Sequence, residues 1–143
     1  HLASRRQRQM CIRDRIHAGD EETDHLIWCK KRLDELDGKP SVLNPIWYAG
    51  SFAIGAIFGS LGEKTSLGFV EETEKQVVKH LQRHLDKISE NDKETIEILK
   101  TMQEDEDLHA GQANESGAEE LQSPTKKVME LTAKVMTSTS HYI

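Results

Sequence analysis

Two stretches of this sequence pair a carboxylate with an imidazole at a spacing suited to metal binding: Glu22-Thr23-Asp24-His25 and Glu106-Asp107-Leu108-His109. On a helix, residues three apart share a face, so each Glu-x-x-His points both groups the same way. Carboxylates mixed with imidazoles suit iron or manganese, whereas zinc more often recruits several His or Cys. Two such pairs on two helices, joined by lone Glu residues from others, form the ligand set of a carboxylate-bridged di-iron or di-manganese bundle. One pair alone would carry little weight. With seven histidines in a Glu-rich chain, chance supplies nearly one, and its bland reading is a surface salt bridge.

The flanking residues decide where the pairs face. From about Ala18 to Leu36, the row Leu36, Leu33, Cys29 runs back at helical spacing into His25 and Glu22. The first pair therefore continues an apolar stripe that faces the interior. Gly38 and Pro40 are expected to end that helix. A helix from about Ser66 to Ser89 carries Val70, Val77/Val78, Leu81, Leu85 and Ile88. Glu74 falls in the middle of that stripe, with Glu71 towards one edge and Glu72 on the far side. Burying an unpaired carboxylate costs several kcal/mol, so Glu74 calls for a partner, and a cation is the natural one. Asn91 with Glu94 has capping-box spacing and opens a helix towards Ser116, whose stripe is Leu99, Met102, Glu106, His109 and Ala113. A last amphipathic helix, roughly Thr125 to Thr139, shows Val128, Leu131 and Val135.

Residues 41–62 contain no charged side chain, but Asn44-Pro45 and several glycines and serines interrupt the run. It is expected to be a bundle helix buried on most sides and docking on a membrane surface, rather than a span. His80 and His84 form an i, i+4 pair that could bind a metal. They lie off the Glu74 stripe and are read as mostly solvated, with His80 as a support for a ligating side chain. No Ser-His-Asp or Cys-His arrangement and no phosphate-binding glycine loop has local support.

Length and composition fit one domain of 143 residues, 36% hydrophobic and 31% charged, with no strand-length alternation. The net charge of −6 argues against nucleic acid as a partner. Cys11 and Cys29, without close spacing, argue against a disulfide framework or a thiolate metal site and fit a reducing cytosolic setting. Residues 1–15 differ from the rest, with five Arg against one Asp and no Glu. Such a stretch is read as a leader outside the fold, a transit peptide being the alternative, and residues 16–143 as the domain.

The stretches EETDHLIWCKKRLDEL, KPSVLNPIWYAGSFAIGAIFGSLGEKTSLGFVEETEKQVVKHLQRHL and MQEDEDLHAGQA resemble the demethoxyubiquinone hydroxylase family in its bacterial form, over about residues 16–143. The resemblance implies an all-α, ferritin-like helical bundle with two ferrous ions. It implies hydroxylation, with dioxygen and a reductant, of the ring of a polyprenylated quinol in ubiquinone biosynthesis. It also implies peripheral attachment to the cytoplasmic side of the bacterial cell membrane, among other proteins of that biosynthesis. By motif, Glu22, His25, Glu74, Glu106 and His109 match metal ligands, Glu22 and Glu106 as bridges, and His80 matches a His the family carries beyond its lone Glu. Leu43, Trp47, Phe52, Ile54 and Phe58 are candidates for contact with the prenyl tail or the membrane. The family's first helix, with a further Glu, would fall before residue 1, so the chain is expected to lack that helix and one ligand. The alternatives are another ferritin-like redox activity, such as peroxide reduction or iron oxidation, and a non-catalytic membrane-associated scaffold.

Overall fold

The computed structural model describes residues 2–142, with side chains described for residues 13–141. Cys11 and the other side chains before residue 13 lie outside the described residues. Five helices follow one another: α1 (Leu2–Glu35), α2 (Asn44–Ser60), α3 (Glu63–Leu85), α4 (Lys93–Glu115) and α5 (Ser123–Tyr142). Among the described residues there is no strand. The fold is all-α, as the composition and periodicity indicate.

α4 is the spine. α3 packs along it antiparallel and α1 crosses its other side, while α1 and α3 share almost no contact. α1 is pinned by Arg32, whose guanidinium donates to the Thr95 hydroxyl at 2.8 Å, the Asp92 carboxylate at 2.8 Å and Glu94 at 3.1 Å. Asp92 also caps α4, accepting from the Thr95 backbone N–H at 3.1 Å, so one carboxylate both starts α4 and fixes α1 against it. The cap is Asp92 and not the Asn91 expected from capping-box spacing. The aspartate has a guanidinium to meet there, and Asn91 does not.

The N-terminal boundary also differs. α1 begins at Leu2, well before Ala18, and the Arg-rich stretch expected to stand outside the fold runs on as its first turns. Arg15 reaches Glu63 of α3 at 3.4 Å. At the other end, Asp37 takes the left-handed conformation at φ 54°, while the Gly38 N–H bonds the Leu33 carbonyl at 2.8 Å and the Asp37 N–H that of Asp34 at 3.2 Å. These two bonds make a Schellman motif in which Asp37 takes the turn expected of Gly38.

The apolar core is small: Leu67, Leu81, Met102, Ala110 and Ala113, all on α3 and α4. One expectation fails here. No residue of α2 is buried; Ile46, Tyr48, Phe52 and Ile57 face outward, so α2 is not a helix buried on most sides. On α5, Val128, Leu131 and Val135 are likewise exposed. Among the described residues both helices pack mainly on α3, so their apolar rows find no second broad neighbour. No described helix is long and apolar enough to cross a membrane.

Where α3 meets the loop after α4, the Glu119 backbone crosses Gly68 so closely that a Cβ would collide with the Glu119 carbonyl, and the Glu119 N–H bonds the Lys64 carbonyl at 3.0 Å. Gly68→Ala is therefore expected to destabilise the fold by about 1–3 kcal/mol through overpacking. Gly55→Ala, which meets open space within α2, should be neutral or stabilising by about 0.5–1 kcal/mol. Urea titrations of the two variants followed by circular dichroism check the contrast, and equal midpoints would sink it.

Candidate metal centre

The antiparallel crossing of α1 and α4 brings the two Glu-x-x-His pairs face to face. His25 and Glu106 are buried, and so is His109. Glu22 lies at the open side, its side chain half exposed. Glu22, His25 and Glu106 offer ligand atoms that all lie within 4.8 Å of one another.

The arrangement has an approximate twofold character. The two oxygens of Glu106 divide between the imidazoles, Oε1 3.4 Å from His25 Nδ1 and Oε2 3.8 Å from His109 Nδ1. Glu22 does the same from the other side, Oε2 3.8 Å from His25 Nδ1 and Oε1 3.8 Å from His109 Nδ1. Each carboxylate thus spans both rings, as two bridging carboxylates would between two ions with one imidazole on each.

The opposite ring nitrogens are held from behind. His25 Nε2 meets Asp105 Oδ2 at 3.0 Å, and His109 Nε2 meets Glu21 Oε2 at 2.8 Å. A carboxylate accepting from Nε2–H fixes the tautomer and turns the Nδ1 lone pair to the centre. The His109 ring beside Glu21 in turn holds that carboxyl below its ordinary value, against a smaller opposing effect of burial. Asp105 and Glu21 were not singled out from the sequence. The available signal was that each directly precedes the Glu of a Glu-x-x-His, and antiparallel crossing aims that position at the imidazole of the other pair.

Glu74 enters from α3. Burial raises its carboxyl above the ordinary value, and a hydrogen bond joins it to Glu106. Glu106 itself is pushed up to about 8, first by burial, then by its bond and charge contact with Glu74 and by the charge of Glu22, with His25 opposing. Three carboxylates so close cannot all be ionised without a cation. A further observation points the same way: His25 Nδ1, His109 Nδ1 and Glu106 Oε2 are buried and have no hydrogen-bond partner. Buried polar atoms of this kind are costly, and two imidazole lone pairs and a carboxylate oxygen directed at one another are what a pair of divalent cations would satisfy. The residues present fit a di-metal centre.

Other sequence candidates fall elsewhere. His80 bonds His84 (Nε2 to Nε2, 3.0 Å) and lies 3.3 Å from Arg83. Its contacts are on its own helix, so the support it was expected to give a ligand is given by Asp105 and Glu21 instead. Glu71 is buried but satisfied: burial raises it, and Lys75 and Asn114 more than offset this and hold it below its ordinary value. Phe58 stacks on Phe69 at 4.3 Å between ring centroids and Trp47 and Leu43 are half-buried, whereas Phe52 and Ile54 are exposed.

The protonated state of Glu106 gives a pH dependence. Its folded value of about 8 lies above the ordinary 4.5, so the metal-free fold binds a proton there that the unfolded chain releases. The contribution is present below about 4.5 and is lost as pH rises through about 8. Metal-free protein should therefore lose thermal stability between pH 5 and 9, and Glu106→Gln, which cannot ionise, should flatten that loss. Melting temperatures of both proteins across this range check it; parallel profiles would refute the assignment.

Comparison with known proteins places these residues in context. Residues 2–140 match the model of the family described as ubiquinone biosynthesis protein COQ7. A 3-demethoxyubiquinol 3-hydroxylase of Legionella pneumophila (strain Lens) is 58% identical over 126 residues, 88% of this chain and 59% of the relative. The protein of that name from Francisella philomiragia is 53% identical over 87% of this chain and 59% of its own length. That from Polaromonas naphthalenivorans is 50% identical over 90% and 61%. The chain spans about three fifths of the length of these relatives. No solved structure matches it.

Proposed function

Because this chain belongs to the ubiquinone biosynthesis protein COQ7 family, we propose that it carries the di-iron centre of a ferritin-like 3-demethoxyubiquinol 3-hydroxylase, the activity for which its relatives are named. The observation that carries the reading is the buried Glu106 spanning two imidazoles whose Nδ1 atoms have no hydrogen-bond partner. Glu22 and Glu106 would bridge, His25 and His109 would each hold one iron, and Glu74 would complete one side. When bound, two ferrous ions supply the reductive activation of dioxygen for hydroxylation of the quinol ring, with electrons from a separate reductant.

The chain's own residues set the conditions for that chemistry. Asp105 and Glu21 hold the imidazoles so that both Nδ1 lone pairs converge. The proton shared by Glu74 and Glu106 has to leave when the cations arrive, so loading is coupled to pH. The half-exposed side of Glu22 is where the centre opens to solvent, and a quinol ring would approach there.

The substrate's prenyl tail and a membrane surface both suit α2. Its outward residues Ile46, Phe52 and Ile57, with Val42 and Leu61 at its ends, form an apolar exposed row without a charged side chain between residues 41 and 62. Such a helix lies on a bilayer rather than crossing it. We place the protein peripherally on the cytoplasmic face of a bacterial cell membrane, in reach of the other proteins of ubiquinone biosynthesis.

Anaerobic loading with ferrous iron should give two ions per chain, and Glu106→Gln should lose them together with turnover of the demethoxy quinol. Full iron loading with no quinol turnover would instead favour peroxide reduction or iron oxidation and overturn the hydroxylase reading. For the membrane, loss of one buried Phe contact is worth about 1.5–3 kcal/mol, or about 10- to 100-fold in partitioning. Phe52, 70% exposed, makes no core contact to lose. Phe52→Glu should weaken binding to anionic vesicles by that factor and leave the melting temperature in place. Unchanged flotation with vesicles would remove α2 from the membrane contact.

A further inference from the structure

The two imidazoles of the centre are held from behind in nearly the same way. Glu21 and Asp105 each directly precede the glutamate of a Glu-x-x-His. Glu21 accepts from His109 Nε2–H at 2.8 Å and Asp105 from His25 Nε2–H at 3.0 Å. Their side chains are 28% and 27% exposed, so water reaches both alike. One residue breaks the likeness. His17, a turn before Glu21 on α1, brings its Nδ1 to 3.0 Å from Glu21 Oε2, the same oxygen that meets His109. The matching position on α4, a turn before Asp105, is Thr101. Among the described residues, no side chain besides His25 is bonded to the Asp105 carboxylate.

On the basis of the two-ion centre proposed above, we propose that His17 makes the two metal positions unequal. By sharing the Glu21 oxygen that holds His109, it leaves the ion on His109 more weakly bound than the ion on His25. An acceptor behind a ligating imidazole draws on its N–H and makes the opposite nitrogen a stronger ligand. An oxygen that accepts from two donors divides that pull, so His109 Nδ1 gains less from Glu21 than His25 Nδ1 gains from Asp105. Glu21 keeps its bond to His109 whether or not His17 is present, so the tautomer and ring orientation stay set and only the strength of the hold changes. The His25 position then fills first, and the His109 position empties first when metal is scarce.

Changes to the partners of ligating groups move metal affinity about 10- to 100-fold. Sharing an oxygen is milder than losing it, which puts the expected difference at about tenfold, the lower end of that range. His17 is 73% exposed, and an exposed pair one turn apart adds little to folding. Its variants therefore separate an effect on the centre from an effect on the fold.

The test is a titration of the full chain with Co2+, an ion that accepts nitrogen and oxygen ligands. It is followed by magnetic resonance of the paramagnetically shifted imidazole N–H signals. The two signals are assigned by the loss of one in His25→Gln and of the other in His109→Gln, and far-UV circular dichroism checks that each variant stays folded. In wild type the His25 signal should rise with the first equivalent, and the two affinities should differ by about tenfold beyond the statistical ratio. In His17→Leu the His109 position should tighten until the two signals rise together, whereas His17→Gln, whose amide donates to the same oxygen, should keep the gap. The inference is overturned if wild type binds two Co2+ with both signals rising together or with His109 leading. It is equally overturned if His17→Leu keeps the wild-type gap, or if His17→Leu and His17→Gln behave alike. Fewer than two Co2+ per wild-type chain would overturn the two-ion reading as well, so the two failures are told apart by stoichiometry.

Discussion

A carboxylate held between two imidazoles at the crossing of α1 and α4 is the constraint to which the rest of the structure answers. Glu106 is 2% exposed, and each of its oxygens faces a different Nδ1. Burial alone would drive such a group to its neutral form, and the proximity of Glu74 and Glu22 pushes further in that direction. Only a compensating positive charge reverses the balance. The polar interior is therefore intelligible as a site before it is intelligible as a core.

The scaffold serves that arrangement economically. α4 supplies Glu106 and His109 and is also the element on which α1 and α3 rest. The Arg32–Asp92–Thr95 knot sets the register of α1 on α4, and from that register Glu21 meets His109 and Asp105 meets His25. A one-residue slip would turn His25 by about 100° around α1 and away from the cluster. The apolar contribution is modest by comparison. The accessible surface is 10612 Å2, against about 7,500 Å2 for a compact monomer of 16.2 kDa. Helices with exposed apolar rows, α2 and α5 among them, contribute to that difference. The exposed apolar row of α2 is the feature on which the proposed membrane contact rests.

Much of the centre was legible in the chain itself. The helical stripes put Glu22 with His25 and Glu106 with His109 because a helix repeats its faces every three or four residues, and the structure brings these four together, although Cys29 and Leu36 on the α1 stripe are exposed. Glu74 was separable from Glu71 and Glu72 by the same periodicity, although Glu71 also proved buried, paired with Lys75 and hydrogen-bonded by the Asn114 amide. His80 was assigned a supporting role that its contacts do not show. The two residues that do support the imidazoles, Asp105 and Glu21, depend on the sense and register of a contact between helices eighty residues apart in sequence, and no local pattern encodes that.

By itself, then, the sequence determined the all-α class, the three helices that carry the candidate ligands and the chemistry of that candidate set, because helical periodicity and side-chain type are local properties. Its likeness to the family rests on those same local runs. The tertiary structure alone decided which carboxylate spans which imidazole, which residues hold the rings from behind, and that α2 and the apolar row of α5 face outward rather than into a core. Those outcomes depend on where one helix ends up against another, and burial is a property of neighbours, which a stripe of apolar residues cannot specify.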